Sequence, residues 1–153
     1  MENFYVKEIE SKLAMLNLAA IEVCQDRHIR VNHVAKTDEE LVKRMRENEK
    51  TGLKIPCSTF FSENDVNNAL YEYFSDSYAL KKVVKWLEDE GYGDRFEDNA
   101  YSFNDEPIGR LLRTNGALKN VYSYRIILEK NDSRNGAAGM PFNVVTLYPI
   151  ADE

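Results

Sequence analysis

The spacing of apolar residues changes once along this chain, close to Gly93. Before that glycine the apolar residues recur every three or four positions, which is the period of one helix face, and after it they alternate, which is the period of one strand face. A run of helices followed by a run of strands with short turns is typical of an α+β fold. We therefore expect N-terminal helices followed by an antiparallel β-sheet, and 153 residues are enough to enclose a hydrophobic core.

Two helix starts are marked by side chains that can cap a helix. Thr37 with Glu40, and Ser62 with Asp65, have the three-residue spacing at which a hydroxyl and a carboxylate satisfy free backbone N–H groups. Together with the apolar spacing they predict four helices: one over Glu2 to Cys24, one that begins at Asp38, one that begins after Ser62, and one that ends at Gly91.

Three strands are predicted in the second half of the chain: Ile108 to Arg113, Val121 to Glu129, and Phe142 to Pro149. Asn115 and Gly116 predict a tight turn between the first two strands. Residues 130–140 (KNDSRNGAAGM) have the composition of a flexible connection.

Composition argues against several classes of protein. A net charge of −6 disfavours a non-specific nucleic-acid binder, because phosphate affinity comes largely from Lys and Arg. No apolar run approaches the roughly 18 residues of a membrane span, and no signal-peptide leader is visible, so we expect any export signal to lie in a longer parent polypeptide. For Cys24 and Cys57 we favour two buried free thiols over one disulfide.

Cations are concentrated in one stretch of this acidic chain. Residues 27–54 contain eight Lys or Arg and five Asp or Glu, and they include both histidines, His28 and His33. Such a patch is compatible with an enzyme that contacts a few phosphates and also with a solvated helix of mixed charge. The two histidines are five residues apart, which is not the spacing of a metal-binding pair on one helix face.

His33 and Arg44 can meet only if the chain bends between them. On one continuous helix they would be about 16 Å apart, too far to share one phosphate. The capping box at Thr37 ends any earlier helix and starts a new one. We therefore expect His33 to fold back towards the helix that carries Arg44.

The last predicted strand supplies two hydroxyl groups. Thr146 and Tyr148 are two residues apart, so their side chains share one face of the strand. Val145 and Leu147 would then face the core. The candidate site therefore combines His33 and Arg44 with these two hydroxyls.

An imidazole, a guanidinium and two hydroxyls are sufficient to cleave RNA without a metal, through attack of the 2′-hydroxyl on its own phosphate. Histidine can transfer the protons, and the planar fork of arginine can bind two phosphate oxygens. Two alternatives remain open: a non-catalytic acidic interaction domain of inhibitor or immunity type that binds a basic partner, and a different nucleotide-directed toxin that holds a dinucleotide.

Several segments, taken in order, resemble the ribonuclease A-like toxin domains at the C-termini of bacterial contact-dependent growth inhibition effectors of the CdiA type. They are HIRVNHVAKTDEELVKRM from His28, STF from Ser58, the helix with Trp86 and Leu87, PIGR from Pro107, VYSYRIIL from Val121 and TLYP from Thr146. On this resemblance, residues 26–153 form the toxin domain. Residues 1–25 are an N-terminal helical extension or the remainder of an upstream delivery segment.

The resemblance implies a two-lobed ribonuclease A-like body with a central cleft and a ribonuclease that needs no metal or other cofactor. It places the catalytic positions at His33, Arg44, Thr146 and Tyr148, with His28 and Lys36 as weaker substrate-binding candidates. Ala35 stands where a glycine is usual in the family.

The resemblance also implies partners and a location. The partners are an RNA substrate, with transfer RNA as one candidate class, and a cognate immunity protein. The domain would be secreted or displayed at the cell surface as the C-terminal part of a larger effector, and it would act in the cytoplasm of the target cell.

Overall fold

The computed structural model of the protein describes residues 4–24, 29–89 and 93–152. The α-helices are α1 (Phe4–Lys12), α2 (Leu18–Cys24), α3 (Ile29–His33), α4 (Asp38–Lys50), α5 (Glu63–Ser75) and α6 (Ser77–Glu88). The strands are β1 (Cys57–Phe60), β2 (Arg95–Tyr101), β3 (Gly109–Leu112), β4 (Leu118–Val121), β5 (Ser123–Lys130) and β6 (Phe142–Ile150). The predicted α+β class is confirmed, with all strand pairs of the two sheets antiparallel.

The described strands form two sheets, whereas the apolar pattern predicted one. The strand order is β1-β3-β4 in the first sheet and β2-β5-β6 in the second. β1 was not predicted because all four of its residues are buried, so the strand shows no alternation. β2 was not predicted because its sequence, RFEDNAY, has few apolar residues. This composition fits its position at the edge of the second sheet.

The predicted strand Val121 to Glu129 is divided at Tyr122, where the chain passes from the first sheet to the second. The carboxylate of Asp152 accepts hydrogen bonds from the backbone N–H groups of Tyr122 (3.0 Å) and Ser123 (2.8 Å) at this point. These bonds satisfy backbone donors where the chain leaves one sheet and enters the other. The turn at Asn115 and Gly116 is confirmed, since Gly116 donates to the Arg113 carbonyl at 2.9 Å.

The prediction of one helix from Glu2 to Cys24 is wrong for the described residues, because the chain bends between α1 and α2. Asn17 begins the second helix, where its side-chain oxygen accepts a hydrogen bond from the N–H of Ala20 at 2.8 Å. Because the second helix does not continue the first, a different set of its residues faces the core: Leu18 and Ile21 are buried, while Val23 is 86% exposed.

Two apolar clusters correspond to the two lobes. The larger joins α1, α2, α5 and α6 to the second sheet, and Ile9, Ile21, Leu70 and Phe142 are among its buried members. The smaller packs Leu41 and Met45 of α4 against Cys57 and Leu112 of the first sheet. Both predicted helix caps are present at the starts of α4 and α5.

The segment between β5 and β6 is packed, whereas its composition predicted a flexible connection. Ala137 and Met140 are buried in the larger cluster. The guanidinium of Arg134 donates to the carboxylate of Glu8 in α1 at 2.6 and 3.0 Å. These hydrogen bonds are the main reason that the pKa of Glu8 falls to about 2. The N-terminal helices therefore contact the region just before the last strand.

The two cysteines are both free, but only Cys57 is buried. The prediction that both would be buried is wrong for Cys24, because α2 turns its last residues outwards. Within the described residues, no helix is both long enough and apolar enough to span a membrane.

Candidate active site

His33 is the last residue of α3, and β1 holds the chain immediately after it. Val34 forms a parallel bridge with Phe60, and the N–H of Ala35 donates to the Phe60 carbonyl at 2.8 Å. The next N–H, that of Lys36, donates to the hydroxyl of Thr59 at 2.9 Å. The chain then enters α4 through the capping box.

Arg44 lies on α4 and reaches back to α3. Its Nη1 donates to the backbone carbonyl of Asn32 at 2.6 Å, and its Nη2 lies 3.4 Å from the side-chain oxygen of the same residue. The contact brings the guanidinium beside His33, because Asn32 precedes His33 directly in α3. The bend that the capping box predicted is therefore present.

Tyr148 comes from the other end of the chain and stacks on His33. The two ring centroids are 5.3 Å apart and the ring planes differ by 29°. Tyr148 lies near the end of β6, and α3 packs against this strand. A histidine from the helical half and a tyrosine from the last strand thus form one face-to-face pair.

These three side chains line one cleft between the two sheets, with a volume of about 410 Å³. The first sheet contributes Cys57, Ser58 and Leu111, and the second contributes Arg125 and residues 148–150 of β6. Ala151 follows β6, and Asn48, Ile55 and Pro56 complete the lining from α4 and the segment that follows it. The cleft lies where the two lobes meet, as expected for a two-lobed body.

The other predicted positions lie outside this lining. Thr146 is half-buried two residues before Tyr148, on the same face of β6, and pairs with Ile127. Lys36 pairs its ammonium with the carboxylate of Glu40 at 3.6 Å. His28 lies outside the described residues.

A β-bulge in β6 changes which residues face the core. Ile127 pairs with Thr146 but the next residue, Leu128, pairs with Val144, so Val145 has no partner in the ladder. Val144 and Leu147 are buried, whereas Val145 is half-buried. The prediction that Val145 faces the core is therefore wrong. The shared face of Thr146 and Tyr148 is kept, because both lie on one side of the bulge.

The environment of His33 keeps its imidazole neutral. Burial and then the nearby Arg44 cation lower its pKa to about 4, while a hydrogen bond with the Ser58 backbone acts in the opposite direction. Among the described residues, the buried Nδ1 of His33 has no hydrogen-bond partner. An imidazole that is neutral at pH 7 can accept a proton.

Sequence reasoning did not identify Arg125, Cys57 or Asn48 as part of the site. Burial raises the pKa of the Cys57 thiol, so this cysteine lines the cleft as an uncharged side chain. Asn48 contacts its sulfur at 3.8 Å. Arg125 could have been found, because the alternation that buries Tyr124 and Ile126 leaves Arg125 on the opposite face of the strand.

Ala35 has a left-handed backbone conformation, with φ of 53°. A side chain at this φ is unfavourable, and glycine avoids the cost. We expect Ala35→Gly to raise the free energy of unfolding by about 1 kcal/mol, measured by urea denaturation. Ala20→Gly in helix α2 is the matched control and should lower that free energy by a similar amount. A loss of stability in the Ala35 variant would contradict this assignment.

Residues 27–149 match the family described as "Bacterial CdiA-CT RNAse A domain". A comparison with curated proteins returned no match. Among solved structures, the "CdiA-CT/CdiI complex from Y. kristensenii 33638" has a chain 24% identical to this one, with a TM-score of 0.64. The match covers 81% of this chain and 99% of that chain, which shows a shared fold. Because the family match spans most of the sequence, the chain belongs to the bacterial CdiA-CT RNase A domain family.

Proposed function

We propose that this protein is a toxin that cleaves RNA by transphosphorylation without a metal, with His33, Arg44, Tyr148 and Thr146 as its catalytic residues. The observation that carries the proposal is the stack of the neutral His33 imidazole on Tyr148, with the Arg44 guanidinium beside it in one cleft. Family membership supports the ribonuclease assignment.

His33 begins the reaction as the base. Its unprotonated nitrogen accepts the proton of the RNA 2′-hydroxyl, and O2′ then attacks the adjacent phosphorus. This assignment follows from the lowered pKa, because at pH 7 the ring is neutral imidazole and not the imidazolium that would serve as the acid.

Arg44 and Thr146 stabilise the charge that builds on the phosphorane oxygens. The guanidinium is always protonated and can donate two parallel hydrogen bonds to one phosphate. Asn32 holds it in the lining of the cleft, which orients the fork before substrate binds. The Thr146 hydroxyl, on the same strand face as Tyr148, donates a further hydrogen bond.

Tyr148 completes the reaction as the acid. Its hydroxyl gives a proton to the departing O5′ as the P–O5′ bond breaks. The proton held by His33 then returns to the Tyr148 oxygen, so the proton balance is closed. The products are a 2′,3′-cyclic phosphate and a new 5′-hydroxyl.

The structural neighbour supports a place for the protein in competition between bacteria. That neighbour is a CdiA-CT chain crystallised with CdiI. By analogy, this chain has a cognate immunity protein and is the C-terminal part of a larger secreted or surface effector that acts in the target-cell cytoplasm. Residues 1–25 then precede the toxin domain as a helical extension, and apolar side chains of its described part, residues 4–24, pack into the same core.

Incubating the purified protein with total RNA tests the proposal. We expect RNA degradation at the same rate with and without EDTA, and 3′ ends that carry a 2′,3′-cyclic phosphate. Loss of activity in EDTA that added Mg²⁺ restores would contradict the metal-independent mechanism. Absence of RNA turnover, together with no growth defect on expression in a bacterium, would instead favour a non-catalytic interaction domain.

A further inference from the structure

Arg125 lines the cleft, and the mechanism above gives it no role. It lies on β5 directly opposite Tyr148 of β6 in the antiparallel register. Side chains of opposed residues point to the same face of the sheet, with Cβ atoms roughly 5 Å apart. The Arg125 side chain is therefore a neighbour of the Tyr148 ring on the same face of the second sheet.

The orientation of Arg125 is set by one neutral hydrogen bond. Its Nε donates to the side-chain oxygen of Asn99 at 2.9 Å, and Asn99 lies opposite Arg125 on β2. Among the described residues, neither Nη group of Arg125 has a hydrogen bond or an ion pair. An anchored guanidinium with two unengaged amino groups is prepared to bind an anion.

Two other arginines of the described residues are paired with carboxylates. Arg134 contacts Glu8 at 2.6 Å, and Arg110 contacts Asp38 at 3.3 Å. The chain has a net charge of −6, so acidic partners are abundant. Among the described residues no carboxylate neutralises Arg125, so the positive charge in this part of the cleft is retained.

The positions of the cleft residues place Arg125 beyond the reacting phosphate. Arg44 lies beside His33, His33 stacks on Tyr148, and Tyr148 is followed by Arg125 across the ladder. The His33 and Tyr148 ring centroids are 5.3 Å apart. Neighbouring strands lie roughly 5 Å apart, so Arg125 is one strand further from His33 than Tyr148 is. This order of contacts, with Arg44 beside His33 and Arg125 beside Tyr148, suits two successive phosphates of an RNA strand.

We propose that Arg125, held by Asn99, binds the phosphate next to the one that is cleaved, and so selects RNA strands over single dinucleotides. The inference rests on the proposed function for the identity of the ligand. Its test uses ligands that cannot be cleaved, so binding is measured whether or not the protein turns over RNA.

The experiment measures the affinity of three 2′-O-methyl ligands by calorimetry. The first is a dinucleotide with one internucleotide phosphate, and the other two carry an additional phosphate at the 5′ or at the 3′ end. We expect one of the added phosphates to tighten binding to the wild-type protein by about tenfold. Arg125→Gln should abolish that gain, and Asn99→Ala should reduce it. With a longer 2′-O-methyl strand, Arg125→Gln should lower the salt slope by about 0.7.

Arg46→Gln is the matched control, because it removes the same charge from an exposed position of α4 that does not line the cleft. It should keep the tenfold gain. Arg125→Lys should restore the salt slope but not the full gain, because an ammonium has no planar fork. An undiminished gain in Arg125→Gln would overturn the proposal, and so would equal weakening of all three ligands, which would place Arg125 on the reacting phosphate.

Discussion

Replacing His33 by glutamine is expected to lower kcat/KM for RNA cleavage by about 10² to 10⁴. The glutamine amide fills much of the space of the imidazole but cannot accept the 2′-hydroxyl proton at neutral pH. Initial rates with a fluorescent RNA oligonucleotide give the effect, and circular dichroism shows whether the variant is folded. Wild-type rates from a folded His33→Gln protein would reject His33 as the base.

The pH dependence of the wild-type protein gives a second readout of the same residue. Because the pKa of His33 is lowered to about 4, we expect kcat/KM to fall on the acid side near pH 4, below the usual range of histidine. If kcat/KM instead falls near pH 6.5, the usual pKa of histidine, the buried imidazole of His33 beside Arg44 is not the group that titrates.

Protonation of His33 should also make the free energy of unfolding decrease as the pH falls. The folded-state pKa of about 4 lies below the unfolded value of about 6.5, so the unfolded chain takes up the proton first as the pH falls. The contribution of His33 is therefore fully present above pH 6.5 and is lost between that pH and about 4, by up to about 3 kcal/mol. His33→Gln should show a shallower loss of stability over this window.

Replacing Arg44 by glutamine is the second large expected effect, a loss of about 10² to 10³ in kcat/KM. The variant keeps a hydrogen-bond donor but removes the charge and the planar fork that would hold the phosphorane oxygens. Arg44→Lys should recover part of the loss, because it restores the charge without the bidentate geometry. Arg46→Gln, two residues along the same helix, should leave the rate unchanged.

The His33 pKa, the stability and the cleavage rate of Arg44→Gln together separate a direct role of Arg44 from a structural one. Arg44 is the second cause of the lowered pKa, so Arg44→Gln should raise the His33 pKa, as measured by NMR titration. A purely structural role through the Asn32 contact would instead appear as a loss of stability with RNA cleavage largely kept. That result would contradict the assignment of Arg44 to the phosphate.

Local features of the fold could be predicted from sequence because their causes lie within a few residues. The capping box of Thr37 and Glu40 forms both of its hydrogen bonds, at 3.1 Å each. The bend that it predicted is what allows Arg44 to reach Asn32. Along β5, the apolar residues Tyr124, Ile126 and Leu128 alternate with half-buried residues, so the buried face of this strand follows from the local sequence pattern.

Features that depend on distant partners could not be predicted in this way. Nothing in the local pattern shows that the chain changes sheets at Tyr122, since the change lies in the pairing partners of β4 and β5. The bulge at Val145 likewise appears only when β6 is aligned with β5. The break at Asn17 was missed because the apolar spacing on its two sides can be fitted by one continuous helix.

The sequence by itself determined which chemical groups are available: one imidazole near a capped helix, an arginine on that helix, and a tyrosine and a threonine on the last strand. Only the tertiary structure decided that His33, Arg44 and Tyr148 meet in one cleft, that Thr146 lies outside its lining, and that Arg125 joins it. The physical reason is that burial, charge proximity and cross-strand pairing act between segments far apart in the chain. These are also the effects that lower the pKa of His33 and leave Arg125 with an unneutralised charge.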